Sequence, residues 1–224
     1  MKRALLTAAL LGCMLVPVTA SADVGAGIRV SSFGFSGDLD IGASKWITVK
    51  VGYSGINYGR EVTDTDVRYD GRMSINAATA IIDWNVFAGG LHLSAGAVSG
   101  GPKVDVNGTP TNGTYTFNGT TYQADDIASL NGTIVMGNGV APYFGLGWGN
   151  VVGSNHSLTL LFDLGAIHTG AAKATLNVTC NASVPSATCD QIISDANAEK
   201  ADLENKAGKY RWYPVVSIGL GIKF

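Results

Sequence analysis

Hydrophobic and polar positions alternate with a period of two through much of the chain. From Trp46, the residues Ile47, Val49, Val51 and Tyr53 alternate with Thr48, Lys50, Gly52 and Ser54. Phe35, Gly37, Leu39 and Ile41 alternate with Ser36, Asp38 and Asp40, and Leu91, Leu93, Ala95 and Ala97 with His92, Ser94 and Gly96. The C-terminus carries a long example, in which Trp212, Pro214, Val216, Ile218, Leu220, Ile222 and Phe224 alternate with Arg211, Tyr213, Ser217, Gly219, Gly221 and Lys223. Such a period places one set of side chains on each face of a β-strand. Eight segments read as strands, approximately 24–33, 34–43, 46–58, 68–87, 90–104, 133–149, 156–176 and 209–224.

The connections have a rhythm. Those at 43–46, 87–90 and 149–156 are short and 33–34 is tight, whereas 59–67, 105–132 and 177–208 are longer. An even number of strands with short turns at one end and long loops at the other is the pattern of transmembrane β-barrels. The expected fold is all-β: an eight-stranded antiparallel transmembrane β-barrel in a bacterial outer membrane. Its three longer connections would be extracellular loops, and both termini would lie on the periplasmic side.

A soluble sandwich or lipocalin-type barrel is the rival, with its apolar face inward and its polar face in water. The face not taken by Leu, Ile and Val decides between them. It holds Gly, Ser and isolated charges, with few of the Lys, Glu and Thr of a soluble surface. Small residues suit the lumen of a narrow barrel. Trp46, Trp84, Trp148, Trp212 and Phe224 near strand ends fit aromatic girdles at the membrane interfaces. Pro142 and Pro214 fall inside strands, which predicts bulges or positions near a rim.

Composition narrows the class further. Charged residues make up 14% of the chain, against about 25% in soluble domains. A mean hydropathy of +0.20 would also suit a helical membrane protein, but that needs about 20 consecutive apolar residues per span. No such run follows the first two dozen positions. The 30 glycines keep no three-residue repeat, which excludes collagen. A net charge of −2 without a basic stretch argues against nucleic-acid binding.

Lys2 and Arg3, the apolar stretch Ala4–Val18 and the small residues Ala20-Ser21-Ala22 read as an export signal over 1–22, cleaved after Ala22. The barrel would then occupy 23–224. Cys13 falls within the signal, too early for a lipoprotein site. Cys180 and Cys189 are left in the exported chain and are expected to form a disulfide. A zinc site needs more ligands than this segment offers, and no cofactor is expected. Asn118-Gly119 predicts a small hairpin between 113–117 and 120–123. Cys189–Lys206 predicts a short helix bearing Asp190, Asp195, Glu199, Asp202 and Glu204 against Lys200 and Lys206. A solvated acidic helix is the simpler account of it, and attraction of cations to a pore mouth the functional one.

Parity assigns Arg29, Asp38, Asp40, Lys50, Asp83, His92, Asp163, Arg211 and Lys223 to the inward face, with Arg72 placed among them although parity drifts near Asn76–Thr79. These charges either pair into a plug or line a polar path for solutes. Charges in a narrow lumen need partners and eight strands enclose little more than their own side chains, which favours the plug. An enzyme is not expected. His92-Leu93-Ser94 puts base and hydroxyl on one face and Asn155-His156-Ser157 adds another pair, but His92 and Ser94 lie about 7 Å apart along a strand and neither occupies a recognisable catalytic motif.

Several segments resemble CarO-type outer-membrane proteins. They are Ala141-Pro142-Tyr143-Phe144-Gly145-Leu146-Gly147, Leu164-Gly165-Ala166-Ile167-His168-Thr169-Gly170, Lys209-Tyr210-Arg211-Trp212-Tyr213-Pro214-Val215 and, more weakly, Val49-Lys50-Val51-Gly52-Tyr53-Ser54-Gly55. The resemblance implies an eight-stranded barrel tied to uptake of ornithine and other basic amino acids and to carbapenem susceptibility. It supplies no binding-site residue, and the cysteine pair and acidic final loop look like departures from it. The expected function is passive or weakly selective uptake of small polar solutes. The alternatives are an OmpW-like channel for small hydrophobic compounds and a closed structural or surface-interaction barrel. Partners would be outer-membrane lipid and lipopolysaccharide, small solutes, and the assembly machinery. The last is expected because an alternating strand ending in Phe224 resembles the C-terminal signature of outer-membrane proteins.

Overall fold

The computed structural model describes residues 23–224 apart from 65–66, 111–112, 138, 154 and 156. The export signal over 1–22, with Cys13, and His156 lie outside the described residues. Among the described residues there are twelve strands: β1 (Val24–Ser31), β2 (Gly34–Ser44), β3 (Ile47–Asp64), β4 (Val67–Asn85), β5 (Leu91–Pro110), β6 (Thr114–Phe117), β7 (Thr120–Gln123), β8 (Ile127–Val135), β9 (Val140–Trp148), β10 (Leu158–His168), β11 (Lys173–Cys180) and β12 (Trp212–Lys223). Helix α1 (Ser186–Ala207) precedes the last of them.

Eight strands close a ring in the order β1-β2-β3-β4-β5-β9-β10-β12, with β12 returning to β1. Every pairing is antiparallel, and β5 closes the ring onto β9 from Leu91↔Trp148 to Ser99↔Val140. The ring is taller on one side. Farther along, β5 changes partner to β8 (Lys103↔Val135 to Gly108↔Leu130), and β8 pairs with β11.

The single strand expected over 133–149 is therefore divided into β8 and β9, and that over 156–176 into β10 and β11. Left-handed backbone at Gly137 (φ 82°), Gly139 (φ 114°) and Gly170 (φ 75°) interrupts these ladders, because glycine adopts that conformation without a Cβ clash. Met136 N–H donates to the Pro102 carbonyl (2.9 Å) and Gly100 N–H to that of Gly139 (3.3 Å), which keeps β5 attached across the break. The expected loop at 59–67 is largely ladder, since β3 and β4 pair out to Asp64↔Val67.

Outward positions form an apolar belt. Ile28, Leu160 and Ile218 are each more than half exposed, and Trp84, Trp148 and Phe224 cluster near the short-turn end. Leu158–His168 spans about 33 Å at 3.3 Å per residue, or about 25 Å of height at a tilt near 40°, the height of a transmembrane barrel's apolar band. Pro142 and Pro214 each sit where one neighbouring ladder has stopped. The β9–β10 ladder ends at Tyr143↔Ile167 and the β1–β12 ladder at Ser31↔Ser217, so the missing proline N–H removes no bond there.

Above the ring, β6–β7 and α1 form a headpiece on the inner face of the tall wall. The hairpin turns at Asn118 and Gly119, with φ of 49° and 80°, as Asn-Gly favours. Tyr115, Phe117, Tyr122, Ile127, Leu130 and Ile192 make its core. Cys180 and Cys189 are joined as a disulfide, tying the end of β11 to the first turn of α1.

Candidate functional site

The lumen holds seven of the charged residues picked out by parity. Arg29 on β1, Asp38 and Asp40 on β2, Lys50 on β3, Asp83 on β4, His92 on β5 and Asp163 on β10 form one layer across it. Asp163 is its hub. Arg29 Nε lies 3.3 Å from Asp163 Oδ2, and His92 Nε2 and Lys50 Nζ lie 2.9 and 3.8 Å from Oδ1. Ser217 Oγ donates to Asp163 Oδ2 at 3.0 Å. Lys50 also binds Asp83 (2.5 Å), which accepts from Ser94 Oγ at 2.7 Å, and Arg29 pairs with Asp38. Asn85 Nδ2 donates to Thr48 Oγ1 (3.0 Å) nearer the short-turn end.

Small residues make this layer fit. A Cβ at Gly147 would stand 2.5 Å from His92 Nε2 and 2.6 Å from Asp163 Oδ1, and one at Gly27 would stand 2.7 Å from Asp38 Oδ2. Gly145 and Gly165 similarly admit Tyr143, whose hydroxyl would meet either Cβ at 2.5 Å. The glycine excess of the inward faces is thus the space taken by a few long side chains.

Apolar groups fill the lumen on both sides of the charges. At the short-turn end, Val151 and Val152 from the β9–β10 turn are almost fully buried, and Val151 packs over Gly25 and Gly221. Toward the headpiece, Phe33, Ile75, Val98, Tyr143 and Ile167 form a second cluster, with Phe33 edge-to-face on Tyr213 at 5.3 Å. Between this cluster and the charged layer lies a cavity with about 80 Å³ open to the centres of water molecules. Its floor is Arg29, Asp38, Lys50 and Asp163, and Ser54, Thr79, Ser94 and Ser217 line its sides. Several polar atoms of the layer have no hydrogen-bond partner: Arg29 Nη2, Asp38 Oδ2 and both carboxylate oxygens of the fully buried Asp40.

Two parity assignments place differently, and a third keeps its face but lies apart from the layer. Arg72 is exposed on the outer wall. The β3–β4–β5 ladders run without a bulge from Trp84 to Val67, so no drift carries an even-numbered residue of β4 inward. Arg211 is exposed and precedes β12, its carbonyl accepting from Thr169 Oγ1 at 3.3 Å. Lys223 sits at the short-turn mouth, 3.1 Å from Asp23 Oδ1, apart from the layer. Tyr143, Ser94 and Ser217 were legible by the same parity as the charges. The tucking of Val151 and Val152 has no periodic signal, because a turn has no period.

Among the described residues, the polar groups of this layer form no nucleophilic pair. Ser94 donates to Asp83 and Ser217 to Asp163, while His92 Nε2 faces Asp163 and its Nδ1 lies 3.3 Å from the Gly90 carbonyl oxygen. A base that activates a hydroxyl must hydrogen-bond to it.

Two crystal structures share this architecture. Acinetobacter baumannii CarO superposes with a TM-score of 0.58 at 23% identity, covering 90% of this chain and 98% of that one. CarO2 of the same organism gives 0.58 and 23%, covering 92% of this chain and 100% of its own. No protein-family model and no curated protein matches the chain. The likeness agrees with the CarO-type resemblance of the sequence at the level of fold, an eight-stranded outer-membrane β-barrel.

Proposed function

We propose that this barrel passes small charged, polar solutes across the outer membrane passively, through a lumen that is shut at rest. The observation that carries the proposal is the cavity floored by Arg29, Asp38, Lys50 and Asp163, where buried polar atoms lack partners. Unpaired buried polar groups are costly, and a water or a solute's charged group in the cavity would relieve that cost. Within the layer the four carboxylates of Asp38, Asp40, Asp83 and Asp163 face the cations Arg29 and Lys50 and the imidazole of His92, an acidic balance that favours cationic solutes. The resemblance to CarO-type proteins points the same way, to basic amino acids such as ornithine.

Passage requires the Asp163 hub to exchange its ion pairs and the two apolar clusters to part, so flux is low and no open-pore conductance is expected. In this orientation the tall wall and headpiece lie outside the cell and the short turns lie in the periplasm. Residues 1–22 act as a cleaved export signal, and the strand ending in Phe224 is the one offered to the assembly machinery.

The apolar clusters favour a second reading, a permanently sealed barrel that displays the headpiece at the surface. Liposome swelling with ornithine or lysine separates the two. Uptake above that of empty liposomes supports passage, and uptake no greater than theirs supports the sealed barrel. If solutes enter, Asp38→Asn and Asp40→Asn should slow cationic more than neutral ones. Equal loss for both would mean that these carboxylates shape the lumen without selecting its cargo.

A further inference from the structure

Outside the lumen, the tall wall carries a basic patch at the height where the apolar belt ends. Lys103 lies ten residues beyond Leu93 on β5, about 25 Å above it at 3.3 Å per residue and a tilt near 40°. Lys103 and Lys173 are both register partners of Val135, one on each side of β8, so they stand about 10 Å apart, two strand spacings. Arg72, on the same outer face, is the register partner of Asp105. Arg72 and Lys173 are exposed, and neither has an ion pair within 4 Å among the described residues. Lys103 is half exposed and holds Asp105 at 2.9 Å, while Thr133 Oγ1 fixes the other oxygen of that carboxylate at 2.7 Å.

This face is grooved as well as basic. Gly59 is the register partner of Arg72 on β3, and nothing lies within 4 Å of where its Cβ would be. The notch is continuous with a groove lined by Asp70, Arg72, Lys103, Asp105 and Asn107. Asp70 Oδ1 is buried there without a hydrogen-bond partner. Cations with several N–H donors suit phosphate oxygens. Carboxylates and an amide suit the hydroxyl donors of a sugar. Below a polar step at Ser74, Asn76 and Ser99, the outer wall turns apolar through Ala78, Ala80 and Ile82 on β4 and Ala97, Ala95 and Leu93 on β5, a surface that suits acyl chains.

We propose that Arg72, Lys103 and Lys173 bind the phosphates of an outer-leaflet phosphorylated glycolipid, with its sugar hydroxyls on Asp70 and Asn107 and its acyl chains along the belt. The bound lipid would be a fixed part of the barrel's outer wall. The proposal is independent of whether solutes cross the lumen and rests only on the tall wall facing outward.

The test uses the full exported chain folded in detergent. Its thermal unfolding is followed by circular dichroism with bis-phosphorylated lipid A, with the same lipid after dephosphorylation, and with phosphatidylglycerol. The phosphorylated glycolipid should raise the midpoint and the other two should not. The combined variant Arg72→Ala, Lys103→Ala and Lys173→Ala removes only exposed side chains, so it should fold and bind lipid A about tenfold or more weakly, as loss of charge-assisted contacts requires. Lys45→Ala, at the opposite end of the barrel, should bind as the unaltered protein does. An equal shift with dephosphorylated lipid or phosphatidylglycerol, or an unchanged affinity in a folded triple variant, would overturn the proposal.

Discussion

Asp163 shows how much one residue can organise. Arg29, Lys50, His92 and Ser217 all converge on it from four other strands. Removing one partner of a buried ion pair leaves charge uncompensated. Asp163→Ala should therefore destabilise the barrel by about 3–5 kcal/mol, read from urea unfolding in detergent. A change below about 1 kcal/mol, the worth of an exposed pair, would mean that water already screens the layer. Gly147 tests the packing of the same layer. Gly147→Ala places a methyl group 2.5 Å from His92 Nε2 and 2.6 Å from the Phe162 carbonyl oxygen, and it should cost about 1–3 kcal/mol by overpacking. Gly59→Ala, which meets nothing within 4 Å, is the matched control and should change unfolding little.

Among elements, the headpiece depends on α1 being held to the hairpin and to β11. The Tyr122 hydroxyl donates to Asp195 Oδ2 at 2.5 Å, Glu199 accepts from the Asn118 N–H, and Glu204 accepts from that of Ala174. Donation from Tyr122, then from Gln191, holds the Asp195 carboxyl below its ordinary value of 3.8. The same bond raises the Tyr122 phenol above 10.0. A lowered carboxylate contributes stability above its unfolded value and loses it as pH falls through the folded one. A raised phenol contributes below its unfolded value and loses it as pH rises through the folded one.

Protection of the β6–β7 amides from hydrogen exchange, corrected for intrinsic rates, should therefore be flat from about pH 5 to 9. It should fall below about pH 4 and again in strong alkali. Tyr122→Phe should lower the plateau and abolish the alkaline fall, and an unchanged alkaline limb would refute the assignment. The Cys180–Cys189 link closes a short loop, with a sequence separation of 9. Replacing both cysteines with serine should cost about 2–3 kcal/mol at most, confined to α1 and the end of β11. The barrel should keep its heat-modifiable migration on a gel.

For the molecule as a whole, the closed ring, the belt and the lumen layers decide behaviour together. Period-two alternation is a local property of the extended backbone. The chain alone therefore disclosed the β class, the two faces of each strand and the apolar belt. Its alternating segments disclosed eight strands and its short and long connections the barrel type, and Asn118-Gly119 and the two remaining cysteines were equally legible because their chemistry acts within a few residues.

Barrel closure decided the rest. Which strand lies beside which, and at what register, follows from the stagger of the ring and the space inside it. Only the closed ring brings His92 to Asp163, 71 residues away in sequence, and folds Val151 and Val152 into the mouth. Parity says which face a side chain takes, whereas what it meets there depends on strands whose positions no local period encodes.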